Sequence, residues 1–124
     1  MERRREMSKK IMICDDDAGI LEMMEMIIDE YGFEVITEAN SLNVLKGLER
    51  ERPDLLLLDI WMPLLSGDQV LRNIKADAQF DALPVIMYSA SAEGRAIAES
   101  VGADDYIAKP FDMNDLESKI RRLI

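Results

Sequence analysis

The sequence predicts an α/β fold: a parallel sheet covered by helices on both faces. Two observations carry that reading. Short apolar runs alternate five times with stretches whose apolar residues recur at helical spacing, and one of the runs, residues 55–58, is unbroken leucine. Strand–helix alternation is the pattern of parallel strands joined by crossover helices. A continuous apolar run marks a strand covered on both faces, hence a central one.

The elements follow in order. Residues 10–14 (KIMIC) read as the first strand. Ile20, Leu21, Met24, Ile28 and Tyr31 then share one helical face, and Gly32 stands where a helix C-terminus favours a residue without a side chain. Met23, Met24 and Met26 are helix packing and surface, not a cofactor box. Residues 34–37 form a short second strand, and Leu42, Leu45 and Leu48 line a second helix that stops before Pro53. The leucine strand ends at Asp59. Ser66-x-x-Gln69 has the form of a capping box opening a third helix, with Val70, Leu71 and Ile74 inward. Pro84 precedes a fourth strand at 85–89, and a short helix runs to about Gly102. Residues 106–108 make the fifth strand, and Asp112 caps a last helix with Leu116, Ile120 and Leu123 on its buried side. Residues 10–124 read as one domain, and residues 1–9 as a basic, disordered extension.

Composition narrows the function. A chain of 124 residues holds one core of ordinary size. No apolar run approaches the ~20 residues that cross a bilayer, and the N-terminus lacks the apolar centre of a signal peptide, so the reading is cytoplasmic and without membrane contact. The formal net charge of −10 argues against nucleic acid as a direct partner. The basic residues gather at the ends, in Arg3-Arg4-Arg5, Lys9-Lys10 and Arg121-Arg122, as solvated termini or helix-end charges. The absence of histidine removes a histidine metal site, a Ser-His-Asp triad and any phosphohistidine on this chain. Cys14, the single cysteine, reads as a small buried strand residue.

In open α/β sheets, ligands bind outside the carboxyl ends of the strands. Here those ends carry Asp15, Asp16 and Asp17 after the first strand, Asp59 after the third, Ser89 at the fourth and Lys109 after the fifth. Carboxylates sharing a pocket repel one another unless a cation or proton intervenes. With only hard oxygen donors present, Mg²⁺ is the natural ion. Lys109 offers a compact positive charge to a phosphate or carboxylate, Ser89 a hydroxyl donor, and a carboxylate can itself accept a phosphoryl group. Asp17 is assigned the duller role of helix cap.

The ordered set ICDDD, LLLLDIWMP, SA and KPF resembles the receiver domains of two-component response regulators, over essentially residues 9–124. The resemblance implies a flavodoxin-like, doubly wound five-stranded sheet of order 2-1-3-4-5 with five helices. It implies Asp59 as phosphoacceptor, and Asp15 and Asp16 as the acidic pair holding Mg²⁺, with Asp16 the direct ligand and the Trp61 backbone carbonyl a further one. Ser89 becomes the switch hydroxyl, Lys109 the phosphate-binding lysine, and Tyr106 the switch aromatic, which moves into space vacated near Ser89. The Lys109-Pro110 bond is expected to be cis. The implied partners are a sensor histidine kinase or phosphotransfer protein and a downstream protein target. The signal would leave through the face of the fourth helix, fifth strand and fifth helix, where a homodimer is also conceivable. The chain would catalyse only its own phosphorylation and dephosphorylation. Departures from the usual family pattern are the bulky Tyr88, serine in place of threonine at position 89, and Trp61 and Ser91 at two variable positions bordering the phosphoryl group.

Two other classes compete. Asp15-x-Asp17 resembles the motif of Mg²⁺-dependent haloacid-dehalogenase-type phosphatases, with Asp15 as nucleophile and Asp17 as acid/base, although the chain is short and shows no cap domain. A flavin-binding flavodoxin would need a Ser/Thr/Gly-rich loop after the first strand, where the acidic triplet would repel phosphate.

Overall fold

The computed structural model describes residues 8–124. Five strands, β1 (Lys10–Cys14), β2 (Glu34–Glu38), β3 (Leu55–Asp59), β4 (Val85–Ser89) and β5 (Asp105–Ala108), form one sheet of order β2-β1-β3-β4-β5. All neighbouring pairs are parallel, with Cys14 opposite Leu58 and Asp59 opposite Tyr88. Among the described residues, five α-helices alternate with them: α1 (Ala18–Glu30), α2 (Val44–Glu51), α3 (Gly67–Lys75), α4 (Gly94–Ser100) and α5 (Met113–Leu123). This is the doubly wound, flavodoxin-like architecture expected. None of the described helices is long and apolar enough to cross a membrane.

The pleat sorts the strand residues into two cores. Met12, Cys14, Leu56, Leu58 and Met87 face α2, α3 and α4, while Ile11, Ile13, Leu55, Leu57, Ile86 and Tyr88 face α1 and α5. Leu55 to Leu58 are fully buried, which explains why β3 reads as leucine without alternation. Each leucine buried contributes roughly 1.5–3 kcal/mol.

Local signals set the helix ends. Asp17 accepts from the N–H groups of Gly19 and Ile20 and so caps α1. Beyond the Tyr31 C-cap, Gly32 takes φ +98°, a conformation that side chains disfavour. Asp112 accepts the Asp115 N–H at α5.

Some expectations are corrected. Ser66 is the N-cap residue of α3, but its side chain makes no cap bond, and Gln69 bonds Asn73 instead of closing a box. The entry of α3 is held by backbone: the Gly67 N–H donates to the Ile60 carbonyl at 2.7 Å. Leu42 is exposed, because residues 41–43 form a 3₁₀ turn and the helix begins one residue later, burying Val44 with Leu48. β2 extends to Glu38 and β5 starts at Asp105. Residues 1–7 of the expected extension lie outside the described residues. Lys9 is tied in, its carbonyl accepting the Glu34 N–H at 2.9 Å.

Gly67 is where the loop after Asp59 presses on the sheet. A Cβ there would stand 2.1 Å from the Asp59 carbonyl oxygen and 2.9 Å from the Ile60 Cα, both backbone atoms. At Gly47 the nearest atom is the flexible tip of Met12 at 3.0 Å. Gly67→Ala is therefore expected to destabilise the fold by about 1–3 kcal/mol. Gly47→Ala should stay near zero, because the helix propensity gained offsets a small shift of Met12. Urea unfolding of both variants distinguishes the cases, and equal midpoints would contradict the close approach.

Candidate functional site

Three strand ends converge on a cluster of acids and one amine. Asp15 follows β1 and is 1% exposed. Its Oδ1 accepts the Asp17 N–H at 2.9 Å and its Oδ2 the Tyr88 hydroxyl at 2.8 Å. Asp59, the last residue of β3, is 4% exposed. Asp16 is exposed beside them, and one carboxylate oxygen from each of the three lies within 4.8 Å of the others. Lys109, after β5, stands between the buried pair: its Nζ is 3.6 Å from Asp15 Oδ2 and 3.8 Å from Asp59 Oδ1. The Lys109-Pro110 peptide is cis, as expected.

One ammonium does not balance this cluster. Burial, followed by the Asp15 charge, pushes the Asp59 carboxyl up to about 7, against the pull of Lys109; Asp16 raises it further and a hydrogen bond from the Trp61 N–H lowers it. The donor set is all oxygen and short of positive charge, so the cluster of Asp15, Asp16 and Asp59 could hold a hard divalent cation such as Mg²⁺. Cys14, directly below, is fully buried, and burial with the nearby acids of Glu38 and Asp15 pushes its thiol up to about 12. It donates to the Met62 sulfur at 3.6 Å and is inert packing.

The remaining expected residues flank the cluster. Ser89 is buried at the end of β4, and its Oγ accepts the Ser91 N–H at 2.9 Å. The Ser89 carbonyl accepts both the Lys109 N–H at 2.9 Å and the Tyr106 hydroxyl at 3.2 Å. Trp61 is half-exposed, and its tie to the cluster is its backbone N–H. Asp17 is turned away as the α1 cap.

Tyr106 is buried, with its hydroxyl on the Ser89 carbonyl. The reason is Gly94: a Cβ there would lie 2.3 Å from the Tyr106 hydroxyl oxygen and 2.8 Å from the Ser89 Cβ, so the missing side chain leaves a slot for the ring. The Arg95 guanidinium covers that ring at 5.2 Å from its centroid.

Tyr88 is the site residue that sequence reasoning noted only as bulky. It is fully buried, bonded to Asp15, and carries Lys109 Nζ 5.1 Å from its ring centroid. The available signal was a phenol in an otherwise apolar strand, because a buried tyrosine hydroxyl needs a partner.

A family model described as the response regulator receiver domain matches residues 11–121. Among curated relatives, the alkaline phosphatase synthesis transcriptional regulatory protein PhoP of Bacillus subtilis is 30% identical over 120 residues, covering 95% of this chain and 49% of that protein. The DNA-binding response regulator MtrA of Mycolicibacterium paratuberculosis is 32% identical over 117 residues, covering 93% and 51%. The chain thus spans about half the length of the curated relatives it matches. Among solved structures, a CheY-like receiver domain protein of Methanospirillum hungatei superposes with a TM-score of 0.82 at 34% identity, covering 93% of this chain and 92% of that one. The chemotaxis protein CheY4 of Vibrio cholerae gives 0.85 at 25% identity, covering 94% and 99%.

The raised Asp59 carboxyl makes stability depend on pH. Between its ordinary value of 3.8 and about 7, the folded chain keeps a proton that the unfolded chain has released. Asp59 therefore costs stability increasingly as pH rises through that window, and fully above it. In EDTA at pH 8, Asp59→Asn is expected to stabilise the fold by on the order of 2–4 kcal/mol, with the gain vanishing near pH 4. Urea unfolding at the two pH values checks this; a gain independent of pH would show that charge crowding is not its cause.

Proposed function

The chain belongs to the response regulator receiver domain family, and from that premise we propose that it is a phosphoryl-accepting switch of two-component signalling with Asp59 as the acceptor. The observation that carries the reading is Asp59 itself, buried at the end of the central strand, 3.8 Å from Lys109 Nζ and within 4.8 Å of the Asp15 and Asp16 oxygens. The donor is a phosphohistidine on a sensor histidine kinase or phosphotransfer protein, which supplies the histidine this chain lacks.

In the transfer, an Asp59 carboxylate oxygen attacks phosphorus, the new O–P bond forms as the donor's P–N bond breaks, and the imidazole leaves. Asp16, Asp59 and the Trp61 carbonyl, with Asp15 beside them, would hold Mg²⁺, which when bound would supply positive charge to the cluster and the phosphoryl oxygens. Lys109 Nζ pairs with a phosphoryl oxygen. Ser89, whose Oγ is held as an acceptor by Ser91, keeps its own proton to donate to another. An apolar groove of about 260 Å³ beside Lys109, lined by Ile20, Met23, Pro110, Phe111 and Met113, gives the donor protein a surface to rest on.

The phosphoryl group adds negative charge where Ser89 and Lys109 can follow it. Lys109 N–H and the Tyr106 hydroxyl share the Ser89 carbonyl, so a shift of Ser89 reaches β5, and through it the α4–β5–α5 face read by a downstream protein or a second copy of this chain. On this reading the protein is cytoplasmic and turns over no separate substrate. The acidic balance of the chain speaks against direct contact with nucleic acid, although the relatives PhoP and MtrA are named as transcriptional and DNA-binding regulators. The phosphatase alternative finds less support, because both oxygens of Asp15 are hydrogen bonded in a buried place and Asp17 is engaged as a cap.

Acetyl phosphate with Mg²⁺ should place one phosphoryl group on the chain, at Asp59, and Asp59→Asn should take up none. Labelling of the folded variant, or label mapped to Asp15, would sink the assignment.

Asp16→Ala should weaken Mg²⁺ binding, followed by Trp61 fluorescence, at least tenfold. Asp17→Ala should leave it unchanged while removing about 1 kcal/mol of stability with the α1 cap. Equal affinities in the two variants would reverse the roles given to them.

A further inference from the structure

Tyr88 meets Asp15 and Lys109 directly and lies opposite Asp59 in the sheet. Its hydroxyl donates to Asp15 Oδ2 at 2.8 Å and lies 3.4 Å from the Cys14 carbonyl. Its ring face carries Lys109 Nζ, and it meets the Phe111 ring edge-on at a centroid distance of 5.3 Å. Its carbonyl accepts the N–H of Ile60, the residue after Asp59, at 3.1 Å. Ser89 is its chain neighbour.

We propose that Tyr88 is a positioning residue that fixes the Asp15 carboxylate for cation binding and keeps Lys109 directed between Asp15 and Asp59. The inference rests on the reading of Asp15, Asp16 and Asp59 as a cation site. Asp15 is held at two points, by the Asp17 N–H on Oδ1 and the Tyr88 hydroxyl on Oδ2. Without that hydroxyl, the closest remaining side-chain partner of Oδ2 is Lys109, at 3.6 Å. A buried carboxylate that loses a donor draws in the nearest charge. Lys109 then moves toward Asp15 and away from Asp59, and Asp15 is reoriented about its remaining hydrogen bond from the Asp17 N–H. Groups that orient metal-binding side chains typically change affinity 10–100-fold when removed.

Tyr88→Phe removes the hydroxyl and keeps the ring. Phe111→Leu removes ring packing against Tyr88 and keeps the hydroxyl. Each is compared with the native chain by Mg²⁺ titration of Trp61 fluorescence and by urea unfolding in EDTA. The expected result is that both variants lose stability, while only Tyr88→Phe binds Mg²⁺ about tenfold more weakly. Folded Tyr88→Phe with native affinity would overturn the positioning role and leave the cation site standing. Affinity lost equally in both variants would reduce Tyr88 to packing. A native chain that binds no Mg²⁺ would remove the cation reading and this inference together.

Discussion

Electrostatic crowding at one edge of the sheet is the constraint on which the site depends. β3 is apolar on both faces and carries Asp59 into a place where water cannot shield it from Asp15. Lys109 sits near both carboxylates and balances at most one of them. A fold selected for stability alone would relieve this crowding with an amide or an aliphatic side chain. Its retention leaves a standing demand for positive charge and for a group that can consume the Asp59 carboxylate. The apolar layers on both faces supply the stability that such a site gives up.

β4 distributes the consequences. Consecutive residues of a strand point to opposite faces, so Tyr88 belongs to the α1–α5 core while Met87 belongs to the α2–α4 core. Ser89 follows at the strand end and gives its carbonyl to β5-side donors, Lys109 and Tyr106. One strand thus meets the acids through Tyr88 and the expected output face through Ser89, and the cis-linked loop that holds Lys109 returns to the same point.

The architecture was legible because its signals are local and redundant. The leucine run, the Val70–Leu71–Ile74 stripe, Asp17 and Asp112 each act within a few residues of chain, and each stands where it was read. Leu42 and Ser66 misled for a shared reason: a 3₁₀ turn and a backbone bond from Gly67 to Ile60 set those helix starts, and neither leaves a side-chain pattern. The acids and Lys109 could be gathered at one edge by strand-end logic alone. The Tyr88–Asp15 bond could not, because it spans from β4 across β3 to the end of β1 and depends on the register of both pairings. Tyr106 was readable as a residue and not as a position, since its slot is defined by an atom that Gly94 lacks.

That slot has a consequence for time rather than for affinity. An aromatic side chain at a surface changes rotamer in picoseconds to nanoseconds. The Tyr106 ring is bounded by Gly94 and Ser89, lidded by Arg95 and tethered through its hydroxyl. Its exit from the slot would need the first turn of α4 to separate from β5, a displacement of packed elements whose natural scale is microseconds to milliseconds. On that geometry the ring would exchange with the slow breathing of a helix and not with the fast torsions of its own side chain.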